Sequence, residues 1–433
     1  MSLPRVDARE DTAGHSAPHP SDAAGGDGGR AWRMLGLLVF AELFGMSLWF
    51  AGSAAAPQLA ARWDLTSAEI GGLATAVQLG FVVGTAISAL LNLADIVPAK
   101  QLFAVSAVLG AAANASLVLA PDYAWALAGR ALTGCALAGV YPPAMKMAAT
   151  WFRARRGLAV GSVVGALTIG KASPYLWTAI PNLPLAAPIL AASASAVLAA
   201  AVIAARWVDG PYAFPSRPFS LRLVTEVVRA PRWRQATGGY LGHMAELYSY
   251  WTWIPAFLAA SAVAASGDPL AGRAPWIGAL AFATIAIGGV GCVWGGLVAD
   301  RMGRARLASA AMAASALCSV LIGLAFGRSL WILAPLALAW GFFVIADSAQ
   351  FSVLVAESVP AHAVGTALTV QVSLGFVLTT LTIQAIPPLV ARVGWEGAFA
   401  ALAIGPVLGI VALRTLVREE RGARAAAAAE GTA

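Results

Sequence analysis

Apolar stretches of about twenty residues dominate this sequence and limit what it can fold into. A helix rises 1.5 Å per residue, so about twenty residues span the roughly 30 Å hydrocarbon layer of a bilayer. The chain is 59% apolar and 11% charged, whereas about a quarter of the residues in a soluble domain are charged. The alternating pattern of barrel strands is not seen in the sequence. We therefore predict an all-α membrane protein.

The hydropathy pattern predicts twelve transmembrane helices. With both termini placed in the cytoplasm, 21 Lys and Arg residues fall on the cytoplasmic side and four on the other side. This positive-inside bias predicts a multi-pass protein of the cell inner (cytoplasmic) membrane. The net charge of +7 thus reflects topology and does not indicate a nucleic-acid partner. The predicted spans are 34–56, 70–93, 101–120, 124–149, 157–181, 185–206, 236–261, 276–299, 306–327, 330–354, 365–390 and 396–416.

The spans divide into two similar groups of six around a polar, proline-rich connector. The ends of the chain are polar or rich in alanine, and the first thirty residues have no apolar signal-peptide core. We expect both ends to be disordered cytoplasmic tails. The predicted organisation is an N-tail over 1–33, a six-helix bundle over 34–206, a linker over 207–235, a second bundle over 236–416 and a C-tail over 417–433.

The linker contains one candidate helix. Ser220 can cap a short segment in which Leu221, Val224 and Val228 share one face, and Pro231 ends it. An amphipathic helix on the cytoplasmic membrane surface and a solvated loop both fit this pattern.

Two segments about 204 positions apart echo each other, one in each predicted bundle. Ala41-Glu42-Leu43-Phe44 is followed by Trp49, and Ala245-Glu246-Leu247-Tyr248 is followed by Trp253. Each segment places a carboxylate inside an apolar helix, which is unfavourable by roughly 3 kcal/mol and usually serves a function. Six-helix repeats related by an axis along the membrane normal hold a solute site between them in one large class of transporters.

A loop motif follows the eighth span. Its residues are Gly296, Asp300, Arg301, Gly303 and Arg304. Here the sequence resembles the major facilitator superfamily, whose cytoplasmic loop motif has the form G-x-x-x-D-R-x-G-R. The resemblance implies a tight turn and a gate in which the Asp bridges neighbouring helix ends. A loop that only sets topology is the alternative.

The first half keeps a reduced copy of this motif. Asp95 and Lys100 follow the second span and retain its acid and one of its cations. Since the family usually has its better copy in the first half, the gating role is expected to have moved to the second half.

Two further motifs resemble the family in part. Arg130-x-x-x-Gly134 in the fourth span resembles a motif in which a buried Arg is tied to proton coupling, although snorkelling to the outer surface is the alternative. Gly161, Gly165 and Gly170 resemble an antiporter motif. Pro174 and Lys171 depart from that motif, so support for export is weak.

The remaining candidates are polar groups within the predicted spans. His243, Glu246, Tyr250 and Trp253 share one helical face. A carboxyl close to an imidazole in a low-dielectric region can exchange protons near neutral pH, as proton coupling requires. Pairs that only hold helices together are the alternative. The candidate proton-coupling and substrate residues are Glu42, Trp49, Arg130, Lys146, Lys171, His243, Glu246, Tyr250, Trp253, Asp347, Gln350 and Gln371.

Small residues at four-residue spacing predict close helix packing. Gly80-x-x-x-Gly84 and Gly291-x-x-x-Gly295 allow backbones to approach. In a transporter whose halves rock, we expect these seams to be where the halves slide.

The sequence contains little that indicates an enzyme. His243-x-x-Glu246 has a spacing suited to two metal ligands, but further donors are lacking because the other histidines are His15, His19 and His362. The sequence has neither a Ser/His/Asp set nor a phosphate-binding P-loop. We expect no metal, no cofactor and no enzymatic activity.

Taken together, these features predict a proton-coupled secondary transporter. Its partners would be a small solute, favoured to be an organic anion, together with protons and the lipid bilayer, and the protein would be a monomer. One alternative is a proton-coupled exporter of drugs or other apolar or cationic compounds. A receptor or scaffold that keeps the fold without transport is an alternative of another class.

Overall fold

The computed structural model describes residues 28–152, 156–180, 182–212 and 221–430, apart from the side chains at 94–95, 156, 221, 361 and 427–430. The predictions for the N-tail before residue 28, for Ser220 and for the side chain of Asp95 lie outside this part of the chain. By length and composition, eight helical stretches in it can cross a membrane. The last of them, Val364–Ala426, contains two helices. The all-α membrane fold predicted from the sequence is confirmed.

Twelve spans are counted along the described residues. Spans 1 to 6 are α1 to α3 (Gly28–Gly45, Leu48–Ala54, Ala56–Trp63), α4 (Ser67–Leu90), α6 (Ala99–Ala115), α7 and α8 (Tyr123–Leu137, Tyr141–Ala149), α9 and α10 (Arg156–Ala172, Pro174–Thr178) and α11 (Ala186–Arg206). The four-residue α5 (Leu93–Ile96) joins spans 2 and 3.

The second half repeats this arrangement. Its connector contains α12 (Leu221–Arg229), and spans 7 to 12 are α13 (Pro231–Ser266), α14 (Pro275–Met302), α15 (Arg304–Leu321), α16 and α17 (Leu330–Ala346, Ser348–Glu357), α18 (Val364–Ala398) and α19 (Ile404–Glu430). Gly394, with φ of +68°, turns the chain between spans 11 and 12. This left-handed conformation favours glycine because glycine has no Cβ.

Two ends of the bundle are distinguished by their turns. The end that holds the connector and the turn after Met302 is called the basic face here, and the other end is called the opposite face. At the opposite face, Thr66 and Glu69 form a reciprocal capping box that starts span 2, and Asp122 caps span 4. These side chains satisfy backbone N–H groups that a helix start leaves unpaired.

The small-residue seams lie within each half. A Cβ on Gly80 would overlap the Ala131 carbonyl of span 4, and one on Gly295 would overlap the Ala346 carbonyl of span 10. The expectation that these seams are the sliding surfaces was wrong, because each faces a helix of its own half.

Two other helix pairs join the halves. Span 5 packs along span 8, where a Cβ on Gly165 would lie 2.9 Å from the Gly289 carbonyl oxygen. Span 2 packs against span 11, and near the opposite face the Gln384 side-chain amide donates to Thr75 Oγ1 at 3.0 Å and to the Ala68 carbonyl at 3.3 Å. Both pairs belong to the contact between the two halves.

The connector and the C-terminus are more helical than expected. The connector contains a helix, whereas the location of that helix on the membrane surface stays a prediction. Within α12, Val227 is buried, while Val228 is exposed, because the helix packs on spans 7 and 11. The last helix continues to Glu430, so the expectation of a disordered end after Arg424 was wrong. Contacts of Glu420 and Arg424 with the turn after span 8 hold this extension in place.

Candidate functional site

A buried lysine amine lies where the two halves meet. The Lys171 side chain is 2% exposed, and its Nζ donates to the Tyr248 hydroxyl at 2.5 Å. Nζ also lies 3.9 Å from the ring centroid of Trp49, 4.8 Å from that of Tyr248 and 5.3 Å from that of Trp251. Aromatic faces attract a cation through their quadrupole, by about 0.5–2 kcal/mol each. The amine of Lys171 is thus held by side chains of both halves.

Aromatic rings from four spans complete this site. Phe81 of span 2 and Phe376 of span 11 lie 4.7 Å apart between ring centroids. Trp49 contacts both of these rings, at 5.2 Å and 5.5 Å. Trp49, Phe81, Lys171, Tyr248, Trp251 and Phe376 are called the central cluster here.

Glu42 lies beside the central cluster. The carboxylate is fully buried, and it interacts electrostatically with Lys171. Neither of its oxygens has a hydrogen-bond partner among the described residues. Span 1 comes this close to span 5 because Gly170 has no side chain, and a Cβ there would overlap the Leu43 carbonyl. The sequence therefore places an acid and a base in one buried environment without a direct bond between them.

Two indole groups of the central cluster have unused donors. The Nε1 atoms of Trp49 and Trp251 are buried and lack a hydrogen-bond acceptor within the described part of the chain. A buried donor without an acceptor is unfavourable by about 1–3 kcal/mol, and such groups are rare in native proteins. Beside one ammonium group, these N–H groups make a site rich in donors.

Arg130 lies in the first half, beside span 1. It is fully buried and does not reach the outer surface. Nη1 donates to the Leu48 carbonyl and to Asn114 Oδ1, each at 3.0 Å, and Nη2 donates to the Trp49 carbonyl. Span 1 is interrupted at residues 46–47, immediately before these carbonyls. Arg130 therefore positions the backbone that carries Trp49.

The ionisable groups of span 7 lie within the second half. His243 Nδ1 is 2.9 Å from Asp347 Oδ1, and both side chains are 1% exposed. Glu246 Oε1 accepts a hydrogen bond of 2.8 Å from Trp340 Nε1. His243, Glu246, Tyr250, Trp340 and Asp347 are called the inner cluster here. All of its members belong to spans 7 and 10.

Aromatic packing encloses Glu246. The Tyr250 ring lies 4.3 Å from the Trp340 ring, and the Tyr250 hydroxyl donates to the Ala337 carbonyl at 3.1 Å. The residues predicted to share one face of span 7 thus contact two different helices. Trp253, the fourth of these residues, points away from span 10 and donates to the Ile383 carbonyl of span 11.

The other predicted residues are Gln371, Gln350 and Lys146. Gln371 is buried, and its amide has no partner among the residues described. Gln350 is buried and accepts a long hydrogen bond from Arg304 Nη1 at 3.4 Å. Lys146 is partly buried in α8.

The loop motif forms a turn at the basic face. Gly303 has φ of +100°, which glycine adopts readily, and Arg304 contacts Glu357 at 3.2 Å and Asp300 at 3.9 Å. Glu420 accepts hydrogen bonds from the backbone N–H groups of Ala305 and Arg306. These bonds tie the motif to helices of the second half.

The remaining motif residues lie nearby or across the interface. Arg301 contributes its carbonyl oxygen, which accepts from Arg424. Gly296 packs against the Gly157 carbonyl of span 5, so it is the motif residue that contacts the first half. In the reduced copy, Lys100 Nζ donates to the Trp207 carbonyl at 3.3 Å.

Sequence reasoning missed four members of the central cluster. Phe81, Tyr248, Trp251 and Phe376 are aromatic residues inside apolar spans, where aromatic residues are common as packing groups. One signal was present, since Tyr248 belongs to the segment that echoes Ala41-Glu42-Leu43-Phe44, and Trp251 follows it by three residues on the same helical face.

The chain was compared with known proteins. A family model described as the Major Facilitator Superfamily matches residues 37–383, which is most of the chain. The search of curated proteins found no match. Among the described residues, no group of three His, Cys, Asp or Glu side chains could hold a metal ion.

Proposed function

The chain belongs to the major facilitator superfamily and is a secondary transporter, and we propose that it carries a small organic anion coupled to protons. In this proposal the two halves rock about the central cluster, which opens alternately to either side of the membrane. The observation that carries the proposal is the buried Lys171 ammonium, held jointly by Trp49 of one half and Tyr248 of the other.

The unused hydrogen-bonding groups favour an anion. The Nε1 groups of Trp49 and Trp251 can only donate, and the Lys171 ammonium also only donates. An anion would accept from these groups as it enters. Its charge would be matched by Lys171, because a buried charge is tolerated when it is paired and hydrogen-bonded.

Glu42 provides a route to proton coupling. Lys171 carries one positive charge, which can offset either the Glu42 carboxylate or a bound anion. When a monoanion pairs with Lys171, a proton on Glu42 would restore neutrality in a buried region where an uncompensated charge is unfavourable by several kcal/mol. One proton would thus accompany one negative charge. The inner cluster, with Glu246 and the His243–Asp347 pair, would be a second place where protons are held.

Orientation follows from the distribution of charge. We propose that the basic face lies in the cytoplasm, because most of the Lys and Arg residues outside the predicted spans belong to sequence segments assigned to that side. The protein would then lie in the inner membrane with both termini in the cytoplasm. The turn containing Asp300 and Arg304 would stabilise the second half at the cytoplasmic surface.

One observation supports a second candidate. The central cluster already surrounds an ammonium group with aromatic rings, and such rings also recognise cationic ligands. An exporter of cationic or apolar compounds would bind its substrate there after Lys171 has moved or lost its proton. The unpaired indole donors make this candidate the weaker one.

The proposal can be tested in proteoliposomes loaded with a pH-sensitive dye. One compound at a time would be added outside vesicles that contain the full chain. The anions are pyruvate, succinate, citrate, benzoate and 2-naphthoate, and the cationic probe is tetraphenylphosphonium. We expect at least one of the anions to change the internal pH at a rate that Glu42→Gln abolishes. Proton movement driven by the cation alone, or no movement with any compound, would contradict the proposal.

A further inference from the structure

The central cluster also restricts which anions it can accommodate, through the number of its charges. Lys171 is the one cation in this cluster as defined from the described residues. Arg130, the other fully buried cation nearby, uses Nη1 and Nη2 on the backbone of span 1 and on Asn114. Among the side chains of the central cluster itself, a second negative charge on the solute would find no further cation, and an unpaired buried charge is strongly unfavourable. The charge count favours a monoanion.

The shape and chemistry of the walls add a second restriction. Across the interface, Trp49 lies 5.8 Å from Tyr248 and 5.5 Å from Phe376, and Phe81 lies 4.7 Å from Phe376. These separations are those of aromatic pairs in contact, which are more favourable than their buried area alone would give. When the halves part, these contacts are lost. A flat aromatic solute would restore them from both sides, whereas a saturated ring or a polyol would not.

The polar groups are arranged to suit a carboxylate. The central cluster offers three donors, namely Lys171 Nζ and the buried Nε1 groups of Trp49 and Trp251, which lack an acceptor among the described residues. A carboxylate has two oxygens and about four acceptor positions, so it can take all three donors. A sugar would need acceptors as well as donors for its hydroxyl groups, whereas these three groups of the central cluster act as donors.

From these observations we propose that the solute is a planar aromatic monocarboxylate, with its carboxylate on Lys171 and its ring between Trp49 and Phe376. This inference rests on the proposed function for the location of the solute site. It goes further by selecting one chemical class among the organic anions.

Binding to the purified full-length protein tests the inference without transport. The probes would be 2-naphthoate, its saturated counterpart decalin-2-carboxylate, the dianion naphthalene-2,6-dicarboxylate and the cation 2-naphthylmethylammonium. Isothermal titration calorimetry in detergent would give each affinity. We expect 2-naphthoate to bind at least tenfold more tightly than each of the other three.

Two substitutions separate the carboxylate contact from the ring contact. Lys171→Met should weaken 2-naphthoate binding at least thirtyfold. Phe376→Leu should reduce the preference for 2-naphthoate over decalin-2-carboxylate at least threefold, while leaving the preference for the monoanion over the dianion. Trp294→Leu is the matched control, because Trp294 lies on the exposed surface of span 8 and its ring contacts that of Phe342 at 5.4 Å between centroids. Size-exclusion chromatography would check the fold of each variant.

The outcomes distinguish this inference from the proposed function. Equal binding of the saturated acid, tighter binding of the dianion or the cation, or no binding of any probe would overturn the inference. If pyruvate or succinate nevertheless drove proton movement in vesicles, the transport proposal would stand. Selective binding of 2-naphthoate without any proton movement would preserve the inference and overturn the coupling proposal.

Discussion

The two halves of the chain carry matching carboxylates in contrasting surroundings. Glu42 has no hydrogen-bond partner among the described residues and lies beside Lys171 at the contact between halves. Glu246 accepts a hydrogen bond from Trp340 and is enclosed within the second half. The two matching segments thus share an acid but differ in the side chains that surround it. In the proposed transport cycle, the acid at the contact between the halves is therefore better placed to exchange protons than the acid enclosed within one half.

The helices that carry these acids also differ. Span 7 is one helix of 36 residues, whereas span 1 is interrupted at residues 46–47 and again at Ala55. Arg130 binds the carbonyls that follow the first interruption. An interrupted helix near the midplane is a common way to form a solute site in transporters. The two helices that carry the matching acids thus differ in continuity, and the interruption in span 1 lies beside the central cluster.

The largest expected effect tests this difference in the helices. Arg130→Met removes charge-assisted hydrogen bonds to two carbonyls and to Asn114, and such bonds are worth about 1.5–3 kcal/mol each before the relief of desolvation is counted. We expect the free energy of unfolding to fall by about 3 kcal/mol. Equilibrium unfolding in mild detergent, followed by tryptophan fluorescence, would measure it. Arg130→Lys should lose less, because it keeps the charge and some of the donors.

A loss below about 1 kcal/mol for Arg130→Met would mean that span 1 keeps its broken shape without the guanidinium. In that case Arg130 would not be the cause of the difference in continuity between span 1 and span 7.

The second prediction compares the two carboxylates directly. Glu42→Gln removes the group that would take up the proton beside Lys171, so we expect anion-driven proton flux to fall about a hundredfold, equivalent to about 2.7 kcal/mol. Glu246→Gln keeps a carbonyl oxygen for Trp340, and its flux should fall by about tenfold or less. Dye-loaded proteoliposomes would report both rates, with Trp294→Leu as the control. A larger effect at Glu246 would reverse the assignment.

The all-α membrane fold could be predicted from the sequence, because the bilayer determines how long and how apolar a segment must be to cross it. Glu42 and Lys171 could also be found, since charged residues are rare in apolar spans. The partners of these charges could not. Tyr248 and Trp251 face Lys171, but His243 and Glu246 on the same helix face span 10, and helical periodicity does not say which neighbour each face meets. The direction of the glycine seams was missed for the same reason.

A third prediction concerns the enclosure of Glu246. Trp340→Phe keeps an aromatic ring but removes the Nε1 donor, so the Glu246 carboxyl loses its hydrogen-bond donor on span 10. We expect a loss of about 1.5 kcal/mol in the free energy of unfolding. The same substitution in the Glu246→Gln background should lose less, because a neutral amide is desolvated at lower cost than a carboxylate. A double-mutant cycle gives the difference, and equal losses in both backgrounds would show that only ring packing matters.

The smallest expected effect concerns the turn at the basic face, where the halves differ again. In the second half, Glu420 accepts from the first backbone N–H groups of α15, and in the first half Lys100 donates to the Trp207 carbonyl. A carboxylate at a helix N-terminus stabilises the helix by about 0.3–1 kcal/mol, so Glu420→Gln should lower the free energy of unfolding by about that amount. The neighbouring Glu419→Gln is the matched control, since its pair with Arg232 is exposed and such pairs contribute little. Equal losses for the two variants would contradict the prediction. They would mean that Glu420 does not stabilise the contact between the C-terminal helix and the start of α15.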